Sequence, residues 1–170
     1  MKILLAVDDQ QFGERIADFA MRNARLSVAE VRVITIIPSI LAYTSLAIIP
    51  DLVQEMRDET RTKGIALVHK IALQVTDAFP DSSVDEFVVE GRPAEEILSM
   101  AKQWKADLIL VGSHGRQGIS KLIIGSVSQA VVSHAPCSVL VVDLMHCKQG
   151  LEKPCESRKG NLADRLPAGA

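Results

Sequence analysis

Five short runs of β-branched and leucine residues, separated by segments with helical periodicity, set the strongest limit on what this chain can fold into. The runs are Lys2–Asp8, Val31–Ile37, Val84–Val89, Leu108–Val111 and Ser138–Val142. Each is close to continuous apolar text rather than strict alternation, the pattern of strands covered on both faces. Between them, Phe12, Ile16, Phe19, Ala20 and Asn23 follow helical spacing. Asp51–Phe79 predicts a long helix with Leu67, Ile71, Val75 and Ala78 on one stripe. Pro93 opens a helix whose inner face is Ala94, Ile97, Leu98 and Ala101. Proline suits a first helical position, where the amide it lacks would be unpaired anyway. Ser126–His134 completes the series. Strand–helix alternation of this kind predicts an α/β domain built on a parallel sheet with helices on both faces.

The chain has 170 residues, 48% of them hydrophobic and 24% charged, the balance of one soluble globular domain. A net charge of −2 offers no basic face for nucleic acid, and 4% aromatics argue against a base-stacking platform. Three cysteines, Cys137, Cys147 and Cys155, make no disulfide framework and fit a reducing cytoplasm. The apolar start meets Asp8 and Asp9 too soon for a signal-peptide core. Residues 33–50 carry no charge, but Pro38 and Pro50 bracket the stretch and Ser39, Thr44 and Ser45 interrupt it. A buried strand and an apolar loop fit better there than a span of about 20 apolar residues. The expected domain fills residues 1–143, with 14 basic and 18 acidic side chains. Residues 144–170 carry five basic and three acidic side chains, two prolines and three glycines. They read as a weakly ordered extension.

Ligands of open α/β sheets sit at the carboxyl ends of the strands, near the point where the strand order reverses. The residues that follow each strand are therefore the candidates. Asp8-Asp9 follows the first, Ile37-Pro38-Ser39 the second, and Glu90-Gly91-Arg92-Pro93 the third. Gly112-Ser113-His114-Gly115-Arg116 follows the fourth, and Gly125-Ser126 opens the next helix. Glycine lets a phosphate approach the main chain closely, and a helix start offers free N–H groups and a positive dipole end. Ser126 can cap that helix and donate its hydroxyl. The combination predicts a phosphate cradle.

The spacing Gly112, two residues, Gly115, nine residues, Gly125, Ser126 resembles the motif of the ATP-binding branch of the universal stress protein family. The text Asp107-Leu-Ile-Leu-Val-Gly-Ser-His-Gly-Arg, Pro136-Cys-Ser-Val-Leu-Val-Val and Val89-Glu-Gly-Arg-Pro-Ala-Glu-Glu-Ile is also similar to that family. The resemblance covers residues 2–143. It implies an open five-stranded parallel sheet of order 3-2-1-4-5, Rossmann-like and of the adenine nucleotide alpha hydrolase-like type, with the nucleotide between the ends of strands one and four. By the same resemblance Asp8 stands near the ribose and Ile36 near the adenine. Gly112, His114, Gly115 and Arg116 match the loop around sugar and phosphates. Gly125, Ser126 and Val127 match the helix start that holds the phosphates. Gln10 stands where the family often has serine. The implied protein is a cytoplasmic stress-response regulator that binds ATP, AMP or another adenine nucleotide, with Mg²⁺ or Mn²⁺ on the phosphates. It is at most a slow ATPase, and it dimerises through Ser138–Val142.

Other readings compete less well. Asp8-Asp9 also suits the magnesium pocket of a receiver-type phosphoacceptor domain. That domain needs an acceptor aspartate at the end of strand three, whereas Asp51 begins a helix, and no lysine follows strand five. Neither a Walker-type phosphate loop nor the Gly-x-Gly-x-x-Gly dinucleotide fingerprint occurs. His146, Cys147 and Cys155 lack paired zinc-ligand spacing. Ser126 and His134, eight residues apart on one helix, are too far apart for a nucleophile and base. Arg92 suits either a phosphate contact or plain solvation, and Trp104 reads as core. A protein-interaction module with an empty or differently occupied site is the alternative from another class.

Overall fold

The computed structural model describes residues 1–9, 13, 30–37, 39, 50–113 and 125–142. Five strands form one parallel sheet: β1 (Lys2–Ala6), β2 (Glu30–Ile37), β3 (Ser83–Glu90), β4 (Leu108–Gly112) and β5 (Ser138–Val142). Their order is β3-β2-β1-β4-β5, as the resemblance implied. The helices described are α1 (Pro50–Ala78), α2 (Pro93–Trp104) and α3 (Ser126–His134). The helix expected around Phe12–Asn23, the apolar loop up to residue 49 and the extension 144–170 lie outside the described residues, apart from Gly13 and Ser39. Among the described residues no helix is long and apolar enough to cross a membrane.

Alternation along the central strands divides the core between two faces. Ile3, Leu5, Val7, Val31, Val33 and Leu110 face α1 and pack on its Val68, Ile71, Ala72 and Val75. Leu4, Ala6, Ile34, Ile109 and Val111 face the other way, onto Ile97, Ala101 and Trp104 of α2 and Val131 of α3. The double coverage read from the apolar runs thus holds for β1, β4 and most of β2. β3 and β5 are the edges, and their side chains are only partly covered. The α1 stripe differs from the sequence expectation. Val68 and Ala72 are buried, whereas Leu67 is half-buried and sits at the margin. The reason is Gly64. A Cβ there would lie 3.1 Å from Val88 and 3.3 Å from Thr35, so α1 comes closest to the sheet at a glycine. Gly64 lies on the same stripe as Val68, Ile71, Ala72 and Val75, the residues that α1 buries against the sheet. A mid-helix glycine costs up to about 1 kcal/mol in helix propensity, and here it permits an approach that a side chain would crowd.

α2 carries the start and stop signals its sequence suggests. Pro93 lies in the first turn with Glu95 and Glu96, whose charges suit the helix dipole. The helix ends at Lys105, which holds the left-handed conformation (φ 57°, ψ 54°) and donates its N–H to the Ala101 carbonyl. The Ala106 N–H also reaches that carbonyl, at 2.9 Å. A lysine Cβ is strained in this conformation and glycine is not. Lys105→Gly is therefore expected to raise unfolding stability by about 0.5–1 kcal/mol. Chemical denaturation at unchanged m-value measures it, and a destabilised variant would contradict the cap geometry.

Candidate functional site

The carboxyl ends of β1, β2 and β4 meet at one level. β1 pairs with β2 at Ala6↔Ile34 and with β4 at Leu5↔Leu110. Continuing these registers places Asp8 beside Ile36 on one side and Ser113 on the other. Pairing does continue past β1, since the Val7 N–H donates to the Ile34 carbonyl at 2.9 Å. β1 and β4 are also the strands between which the order reverses, where ligands of such sheets sit.

A chain of backbone hydrogen bonds ties this level to α3. The Ser113 N–H donates to the Val142 carbonyl of β5 at 2.9 Å, and the Ser113 carbonyl accepts the Gly125 N–H at 2.7 Å. The two ends of the segment 114–124 are thus held together. The Ser128 hydroxyl adds a second tie, donating to the Gly112 carbonyl sixteen residues earlier in the chain. Ser128 is 6% exposed and Ser113 7%, two of the three buried polar residues among those described. Sequence reading named Ser113 only as part of the turn after the fourth strand and passed over Ser128. A second serine two places into a helix carries no signal that its hydroxyl will reach a strand end. Ser128→Ala leaves the Gly112 carbonyl short of a partner in a buried setting. It is expected to cost about 1–2 kcal/mol of unfolding stability, read by denaturant titration.

The α3 start differs from expectation in one respect. Gly125, not Ser126, is the N-cap, and no side chain caps the helix. Ser126 is the first helical residue, and its side chain is exposed. Gly125 itself has φ −55° and ψ 149°, open to any residue, so nothing in its dihedrals calls for glycine. Its missing side chain matters only for what approaches it. The first N–H groups of a helix have no intrahelical partner. Among the described residues no side chain caps those of Ser126 and Val127, the position from which a helix start can receive an anion. The Val127 and Ile36 side chains are half-buried and pack at the margin of the α2-side core.

Of the residues the sequence singled out, the structure brings Asp8, Ile36, Gly112, Gly125, Ser126 and Val127 to this end of the sheet. His114, Gly115 and Arg116 lie outside the described residues. Asp51 is exposed in the first turn of α1, far from the role of a strand-end phosphoacceptor. Arg92 is 82% exposed and donates to Glu95 at 3.0 Å, and this carboxylate raises its pKa. It is a solvated surface pair, of the kind that contributes little. Trp104 is core, 9% exposed. Burial, and then the charge of Asp107, push the Cys137 thiol up, so it stays protonated at neutral pH. Among the described residues no group of three His, Cys, Asp or Glu could hold a metal ion.

The fold and this edge define an open, doubly wound α/β domain with an uncapped helix start at its switch point. Comparison with known proteins gives the family: the model of the universal stress protein family matches residues 1–143, and the chain belongs to that family. A universal stress protein of Thermus aquaticus is 33% identical over 141 residues, covering 82% of this chain and 96% of its own. The solved universal stress protein UspA of Lactobacillus plantarum is 24% identical, with TM-score 0.66 over 84% of this chain and 97% of its own. A family member from Arabidopsis thaliana, solved with AMP bound, is 19% identical, with TM-score 0.59 over 84% and 91% of the two chains. Other solved relatives hold dAMP, in the protein from Archaeoglobus fulgidus, and cAMP.

Proposed function

We propose that this protein is an ATP-binding regulator of the stress response, holding the nucleotide between the ends of β1 and β4. The observation that carries the reading is the 2.7 Å hydrogen bond from Gly125 to Ser113, which fixes an uncapped helix start beside the strand ends. The N–H groups of Ser126 and Val127 and the Ser126 hydroxyl are the donors for the phosphates. Gly112, His114, Gly115 and Arg116 complete the cradle, Asp8 meets the ribose, and Ile36 borders the adenine. Mg²⁺ or Mn²⁺, when bound with ATP, neutralises phosphate charge. The nucleotide-bound relatives support an adenine nucleotide as the ligand class. Binding of ATP to one conformation shifts the population toward it, and that is the regulatory output. Native mass spectrometry of the freshly purified chain tests the reading. Co-purifying ATP supports it, and a protein that neither carries nor takes up any adenine nucleotide refutes it.

The proposed assembly is a homodimer in the cytoplasm, paired through β5. In the described sheet β5 is an edge, and Ser-Val-Leu-Val-Val has no charge, proline or glycine to block a partner strand. Val132 on the adjoining helix is 50% exposed. The Val142 carbonyl faces β4, so by alternation Leu140 also faces inward, while Val139 and Val141 direct their N–H groups outward. Val141→Pro therefore removes an outward donor without touching the β4–β5 ladder. Sedimentation at micromolar concentration should show wild-type dimer and mutant monomer. A folded mutant that stays dimeric excludes this edge as the interface.

A further inference from the structure

A cavity lies between α2 and the β2–β3 side of the sheet, running from Arg32 to Val89, the register partner of Ile36. It has a volume of about 260 Å³ and is lined by residues that include Arg32, Phe87, Val89, Glu96, Ser99 and Met100. Arg32 interrupts an apolar strand, and its guanidinium lies 4.5 Å from the Trp104 ring and 5.0 Å from the Phe87 ring. Two aromatic faces fix the plane of the cation. Its side chain is 26% exposed, and its Nε, 3.4 Å from Asp85, is buried without a hydrogen-bond partner. Nε is held on the Asp85 side, but among the described residues the terminal Nη groups have no protein partner, and these remain as donors for a ligand carboxylate. The Ser99 hydroxyl accepts a hydrogen bond from Gln103 at 2.9 Å and keeps its own proton for a ligand.

The remaining lining sets the rest of the ligand. Phe87, Val89 and Met100 offer apolar wall. Glu96, seven residues along α2 from Gln103, closes the far end with a negative charge. In strand register, Arg32 lies opposite Asp85, four residues before Val89. At about 3.3 Å per residue that is roughly 13 Å of groove. A carboxylate on Arg32 directs its body along the apolar wall toward Glu96, where a second negative charge would be repelled. We infer that this cavity binds a small monocarboxylate with an apolar body. The volume, below that of pockets for drug-sized ligands, limits it to a compact molecule.

Trp104, the single tryptophan, stacks on Arg32 and reports occupancy through its emission. The full chain is titrated with hexanoate, adipate and inorganic phosphate, followed by fluorescence and calorimetry. Hexanoate is expected to give a saturable change, with adipate and phosphate at least tenfold weaker. Arg32→Lys keeps the charge but loses the fork, and should weaken hexanoate at least tenfold. Glu96→Gln should narrow the gap between hexanoate and adipate while leaving the fold unchanged, because Glu96 takes part in no ion pair among the described residues. No saturable hexanoate response overturns the inference. So does adipate or phosphate binding as tightly as hexanoate, or a Glu96→Gln protein with unchanged selectivity.

Discussion

Gly115→Val is expected to abolish ATP binding while the protein stays folded. Gly115 stands in the segment whose flanking residues, Ser113 and Gly125, are joined at 2.7 Å. A β-branched side chain resists the backbone conformations open to glycine and fills space that a phosphate needs. Binding falls below detection in calorimetry, a loss of more than a hundredfold in affinity, or at least about 2.8 kcal/mol. Circular dichroism and the denaturation midpoint are expected to stay near wild type. A folded variant with unchanged ATP affinity would remove this segment from the site.

Ile71→Ala should cost about 2–5 kcal/mol of stability, whereas Leu73→Ala, two residues on, should cost under about 0.5. Ile71 is fully buried, and its side chain occupies the place that a Cβ on Gly13 would need. Truncation there opens a cavity against the sheet, against α1 and beside Gly13. Leu73 is 54% exposed on the same helix. Urea titration of the two variants compares them directly. Similar losses from both would mean that α1 is rotated from the orientation described.

These two residues also show why sequence periodicity read α1 only in part. Ile71 and Val75 are recognised by their spacing, but Leu67 and Val68 are neighbours and both strongly apolar. Only the close contact at Gly64 with Thr35 and Val88 shows which of the two turns inward. Strands were legible because β1 and β4 are buried on both faces, and burial on both faces leaves unbroken apolar text. The strand-end glycines and Gly125-Ser126 were legible because glycine and serine punctuate local backbone. Ser113 and Ser128 were not, because their contribution is a contact between distant segments. Arg32 was missed for the opposite reason. It sits inside a run that reads as strand on its neighbours alone, and only the placement of Phe87 and Trp104 explains how the sheet tolerates a cation there.

The register of β1 has a consequence for how the chain is made. Ile3 pairs with Val31 on one side, 28 residues later, and with Leu108 on the other, 105 residues later. At roughly 5–20 residues per second, a ribosome delivers the second partner about 5–20 s after β1 itself has been synthesised. During that interval β1, β2 and α1 must shelter one another, since the edge of β1 that will receive β4 is the middle of the finished sheet. The nascent chain is most prone to aggregate in this window. A chaperone that binds apolar strand edges would act there, before Leu108 to Gly112 arrive to close the sheet.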